Sequence, residues 1–268
     1  MNREGRHPGP PGPTLGAVDA VVGALAEQQE QLSGLLSGLD DVGWRAPTRC
    51  EGWDVADVVL HLSQSNEMAI GSITGRFTEV VAELTNGLGP AGSIDEGAAL
   101  MVEQQRGSEP SALLARWSGG ARRLLEGLDS MDLSTRVTWV AGELSARTLA
   151  TTRLAETWIH TGDVAGALGV TLAPSDSLRQ IARLAWRTLP YAFSSVGRTM
   201  AGPVALLLTS PTGDAWDFVP DEPAATTIRG PAVELCAVAA RRVDPSATSL
   251  QGHGPDADDV LALIRTYA

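Results

Sequence analysis

Arg153-Leu-Ala-Glu156-Thr-Trp-Ile-His160-Thr-Gly-Asp163-Val-Ala-Gly-Ala-Leu-Gly169 is the stretch on which the fold turns. It reads as the later part of a helix over about 146–168, with Gly169 suited to the position just past a helix end. Glu156 and His160 are four residues apart, so they share one face, one turn apart. Asp163 follows three residues later, on or near that face. Leu154, Ala155, Trp158, Ile159 and Val164 leave little room for a solvated polar surface. A carboxylate buried there without a partner would be costly, so one is needed.

A candidate partner stands upstream in Asp57-Val-Val-Leu-His61-Leu62. A second helix begins near Asp54, and His61 lies on it among Val55, Val58, Val59 and Leu62. Two imidazole nitrogens and one carboxylate oxygen form the donor set of an open zinc-type site. Spacing alone leaves two readings. A divalent cation could bridge the helices, or His61 could be a hydrogen-bonded core histidine and Glu156/His160 an ordinary i,i+4 pair.

Outward from these helices the chain divides into three parts. Residues 1–14 are a Pro/Gly tail that carries His7 and suits neither helix nor core. A bundle over 15–174 would hold a first helix from about Leu15 to Leu39, the second from Asp54, a third over Pro110–Leu128 and the fourth over Ala146–Leu168. Between the last two, 134–140 reads as a short strand or extended segment, and 85–95 as a surface loop. Residues 175–268 alternate differently. A helix over Ser177–Leu189 precedes β-prone runs at 204–209, 215–219 and 225–228. Gly230-Pro231 then opens a helix to about Arg242, and 256–267 make a last one. The fold class is therefore a four-helix bundle followed by a small α+β unit.

The net charge of −12 disfavours nucleic acid or an anionic membrane as partner. No apolar run approaches membrane-spanning length, and the start of the chain lacks a signal pattern. Cys50 and Cys236 form no C-x-x-C, which fits a reduced cytoplasm. All basic residues are arginine. With no lysine, Schiff-base chemistry and a Walker A lysine are excluded. Gly252-His253-Gly-Pro-Asp-Ala257 mimics a dinucleotide fingerprint, but no strand–helix unit of the right size surrounds it, so His253 reads as a loop residue.

Two segments carry a family resemblance. One is Trp44-…-Pro47-Thr48-…-Cys50-…-Gly52-Trp53-Asp54-Val55-…-Asp57-Val58-Val59-…-His61-Leu62, and the other is Glu156 to Gly169. Both resemble the mycothiol-dependent maleylpyruvate isomerases and their DinB-like relatives. The resemblance implies a DinB-like four-helix bundle and a C-terminal unit similar to sterol-carrier proteins. It also implies a divalent metal on His61, Glu156 and His160, zinc first, with nickel, iron or manganese also suited to that donor set. Mycothiol is the implied cofactor. The C-terminal run Thr226–Arg242 resembles the family more weakly, since Val238-Ala-Ala-Arg241-Arg242 replaces its usual Leu-Trp-Gly-Arg-like ending.

The expected function is a metal-dependent enzyme, a mycothiol-using S-transferase or isomerase acting on a small electrophilic metabolite. The alternatives are thiol-independent metal-assisted hydrolysis, hydration or lyase chemistry, and a non-catalytic, metal-stabilised small-molecule binder. Asp163 would accept the second N–H of a ligand imidazole. Arg241 and Arg242 would bind cofactor or substrate, with Arg229 a further candidate for a substrate carboxylate. Cys50 reads as part of the turn before the second helix rather than as a nucleophile. Trp53 and Trp158 read as core residues that could also wall a cavity.

Overall fold

The computed structural model describes residues 19–140 and 142–266. The Pro/Gly tail with His7, the expected helix start at Leu15 and the expected helix end at Tyr267 lie outside the described residues. Helix α1 (Ala20–Leu36) starts at Asp19, whose carboxylate accepts from the Val21 N–H. A single turn, α2 (Asp41–Trp44), leads to α3 (Val55–Ile73). Here Asp54 and Asp57 form a reciprocal capping box, fixing where the helix that carries His61 begins. Helices α4 (Phe77–Leu84) and α5 (Ile94–Gln105) lead to α6 (Pro110–Asp129), with proline in its first turn. Strands β1 (Arg136–Trp139) and β2 (Gly142–Ser145) form an antiparallel hairpin. Helix α7 (Ala146–Ala167) is capped by Ser145 at one end. At the other, Gly169 adopts φ 68° while the Val170 N–H bonds the Ala165 carbonyl.

The bundle consists of α1, α3, α6 and α7, with α3 packed on α6 and α1 on α7. Helices α3 and α6 run parallel, because Asn66 lies against Gly120 and Ile73 against Gly127. A Cβ at Gly127 would meet the tip of the Ile73 side chain, which would have to move aside. Asp19 and Arg147 join the N-termini of α1 and α7. Parallel neighbours need a crossover connection, and α4 and α5 supply it. These two helices were not expected, nor was β2. Each is short, and α5 follows a Gly/Pro-rich loop that masks its periodicity.

The C-terminal part holds α8 (Leu178–Arg187), α9 (Leu189–Ser194), β3 (Val204–Thr209), β4 (Ala215–Phe218), β5 (Thr226–Pro231), α10 (Ala232–Ala239), β6 (Gln251–His253) and α11 (Ala257–Leu263). The sheet order is β4-β3-β5-β6, with β3 and β5 parallel at its centre. Four departures from expectation have local causes. The helix expected over 177–189 is α8, which ends at Arg187, and an unexpected helix, α9, follows from Leu189 with Pro190 in its first turn. Strand β5 runs past 228 to Pro231, which is also the N-cap residue of α10, so the helix that Gly230-Pro231 opens begins at Ala232. Helix α10 stops at Ala239, because Arg241 turns left-handed at φ 58° and the Arg242 N–H folds back to the Ala237 carbonyl. His253 lies on an exposed edge strand rather than in a loop. No described helix is long and apolar enough to cross a membrane.

Two apolar clusters fill the interior. The larger runs from Leu25, Leu124, Leu149 and Leu154 of the bundle into Leu206, Ile228 and Leu235 beside the sheet. The smaller packs Leu32, Leu36, Val58, Leu62, Trp117 and Val164 at the other end of the bundle. A polar layer separates them. It includes Gln28 and Gln29 on α1, Ser63 to Asn66 on α3, and Glu156, Thr157, His160 and Thr161 on α7.

Candidate metal centre

The polar layer brings His61, Glu156 and His160 together. Glu156 Oε2 lies 3.3 Å from His61 Nε2 and 3.6 Å from His160 Nε2. One donor atom from each of the three residues falls within 4.8 Å of the others. The imidazoles approach edge to face, with ring centroids 5.0 Å apart, and Trp53 stands 5.3 Å from the His61 ring. Trp53 thus walls the site, while Trp158 packs against the larger apolar cluster.

Asp163 accepts from the other nitrogen of His160, Nδ1, at 3.0 Å. This bond leaves Nε2, the atom facing Glu156, with its lone pair available when the ring is neutral. Arg242 grips Asp163 in turn, donating from Nε to Oδ1 at 2.8 Å and from Nη2 to Oδ2 at 2.7 Å. Cys50 completes this side. Its thiol donates to Asp163 at 3.3 Å, and its sulfur lies 3.9 Å from His160 Nδ1 and 3.8 Å from Arg242 Nη2.

Burial and hydrogen bonding compete in setting the ionisation of these groups. Burial works to raise the Glu156 carboxyl, but hydrogen bonds from His160 and His61 outweigh it and hold the group well below the carboxylate range. Asp163 behaves alike, with His160 and then Arg242 overcoming burial. Burial disfavours the charged form of His160, yet Asp163, Cys50 and Glu156 carry its pKa well above the usual value. His61 is lowered, because burial there exceeds the pull of Glu156.

The donor set fits a divalent ion. A buried His160 beside half-buried His61 and Glu156, the fixed Nδ1 of His160 and a carboxylate shared by two imidazoles match an open three-ligand site. Cys50, His160 and Asp163 also lie within ligand distance of one another. There, however, a guanidinium touches both the thiol and the carboxylate, and its charge opposes a cation.

The candidate arginines separate. Arg242 reaches the site through Asp163. Arg241 stays on the surface, donating to the Ala262 carbonyl at 2.8 Å, and Arg229 is exposed on β5. Two neighbours were not read as site residues from sequence. Cys50 belongs to the turn before α3, and nothing local showed that this turn folds against α7. Arg153 lies inside the opening motif, on the same face as Glu156 and His160.

Comparison with known proteins places the chain. The family model for the mycothiol maleylpyruvate isomerase N-terminal domain matches residues 25–165. The chain belongs to that family. Two uncharacterized proteins of Mycobacterium tuberculosis, from strains CDC 1551 / Oshkosh and ATCC 25618 / H37Rv, are 32% identical over 250 residues. These matches cover 92% of this chain and 95% of each relative. Among solved structures, the mycothiol-dependent maleylpyruvate isomerase superposes with a TM-score of 0.58 at 18% identity, covering 88% of this chain and 94% of that one. A histidine-to-alanine mutant of that isomerase gives a TM-score of 0.57 at 18% identity, covering 83% and 88%. At that identity the likeness shows the fold: a DinB-like helical unit followed by an α+β unit.

Proposed function

We propose that this protein is a divalent-metal-dependent enzyme that uses mycothiol to isomerise, or transfer the thiol to, a small electrophilic metabolite. The observation that carries the reading is Glu156 lying between the Nε2 atoms of His61 and His160. Family membership and the names of the solved neighbours support the thiol and the reaction class. In this reading 15–174 form the domain that holds the ion, and 175–268 form a second domain that braces it through Arg242.

His61, Glu156 and His160 would hold the ion. When bound, a divalent ion supplies Lewis acidity, lowering the pKa of a thiol or water and polarising a carbonyl. The chain's own groups do the rest. Asp163 keeps the His160 proton on Nδ1, so that Nε2 presents its lone pair to the ion. Arg242 pins Asp163 against rotation through two bonds. Trp53 covers one face of His61 and limits water there.

The test uses zinc-reconstituted protein, mycothiol and a panel of α,β-unsaturated and cis-olefinic acids, with NMR following both adduct formation and cis–trans conversion. Thiol-dependent turnover that disappears in His61→Ala and Glu156→Gln supports the proposal. Fully loaded protein that neither binds mycothiol nor turns over any of these compounds contradicts it.

A further inference from the structure

Arg153 is a buried charge to which the site as described gives no role. The residue is 1% exposed, and neither Nε nor Nη2 has a hydrogen-bond partner among the described residues. It sits one turn before Glu156 on the same face of α7, and its charge is felt by both Glu156 and His61. A buried guanidinium with no partner is strongly unfavourable unless something else satisfies it.

Two other arginines in the chain show what that edge is built to hold. In Arg116, Nε and Nη2 take the two oxygens of Glu67 at 2.7 and 2.9 Å. In Arg242, the same two atoms take the two oxygens of Asp163 at 2.8 and 2.7 Å. In Arg153 neither atom of this edge bonds a carboxylate among the described residues. The charges agree with a missing anion. Glu156 and Asp163 are matched in number by Arg153 and Arg242, so a divalent ion would leave the site positive and drawn to anions. The other candidates are spent or remote: Arg242 is held by Asp163, Arg241 by Ala262, and Arg229 is on the surface.

We propose that Arg153 is the carboxylate anchor of this site, its Nε–Nη2 edge taking both oxygens of a carboxylate on the metabolite that meets the His61–Glu156–His160 cluster. The proposal rests on the functional reading for the reaction, but not for the anion itself. The substrate class is thus narrowed to electrophiles bearing a carboxylate a few bonds from the reacting carbon. Arg153 positions that molecule.

The test measures binding of propionate and benzoate, against propionamide and benzamide, to zinc-treated full-length protein by saturation-transfer NMR. Zinc content and the melting temperature of the ligand-free protein are recorded alongside. Wild type should prefer each carboxylate over its amide by about tenfold or more, as expected for a bidentate charged pair. Arg153→Met should lose that preference, keep its zinc and melt higher than wild type, because it removes an unpartnered buried charge. Arg153→Lys keeps the charge without the fork, so it should fall between the two, and it serves if the methionine variant does not fold. Equal binding of acid and amide by wild type overturns the anchor. So does an undiminished preference in either variant, or a lowered melting temperature with zinc lost in Arg153→Met. Wild type that takes up no zinc yet still prefers carboxylates would sink the metal reading and leave the anchor standing.

Discussion

Arg242 and Asp163 join the two parts of the chain through a bidentate pair of 2.8 and 2.7 Å, and the same carboxylate holds His160 Nδ1. The left-handed turn at Arg241 swings Arg242 back onto the bundle. Groups in this position typically tune metal affinity by about 10- to 100-fold. Arg242→Ala and Asp163→Ala should each weaken zinc binding by about that factor, measured by chelator competition. The double variant should be little worse than the poorer single one, since both break one chain of contacts. Arg241→Ala should bind zinc as wild type does. Additive losses, or a loss in Arg241→Ala, would show that bracing does not run through Asp163.

Zinc uptake should release protons and strengthen as pH rises. Without the ion, His160 is held protonated well above the usual imidazole range, chiefly by Asp163 against the effect of burial. A ligand imidazole must be neutral, so ion and proton compete, and affinity falls as pH drops. Calorimetry in buffers of different ionisation enthalpy reads the released protons directly. An enthalpy independent of buffer at pH 7 would contradict this.

Gln29 is buried at 5% exposure, and neither of its amide atoms has a partner among the described residues. An unsatisfied buried polar group costs about 1–3 kcal/mol. Gln29→Met, similar in size and apolar, should raise the urea midpoint of the metal-free protein. A lower midpoint would mean that water or another group satisfies the amide in solution.

Asp54 accepts from the Asp57 N–H at 2.9 Å, seven residues before His61. Asp54→Ala should cost about 1 kcal/mol, the usual value of a helix N-cap. Denaturant unfolding checks this, and no change would mean that α3 gains nothing from its cap.

Much of this was readable because the informative signals are local. Asp54 opening α3, Pro110 opening α6 and Gly169 closing α7 are local, and helical spacing put Glu156 and His160 on one face. What escaped depends on distant packing. Cys50 meets residues more than a hundred positions away, and the turn that carries it gives no hint of this. Arg242 could be named but not oriented, since its direction follows from a left-handed residue that is not glycine. Arg153 was hidden for a different reason: an unpartnered buried arginine is what sequence reasoning expects not to find.

The central claim is that His61, Glu156 and His160 hold one divalent ion. Anomalous diffraction at the zinc edge from crystals of the reconstituted protein, with elemental analysis of the same sample, tests it most directly. The account predicts a single peak among His61 Nε2, His160 Nε2 and the Glu156 carboxylate, at about 2.0–2.2 Å from each, with one ion per chain. No peak there, or a peak at Cys50 and Asp163 instead, would contradict it.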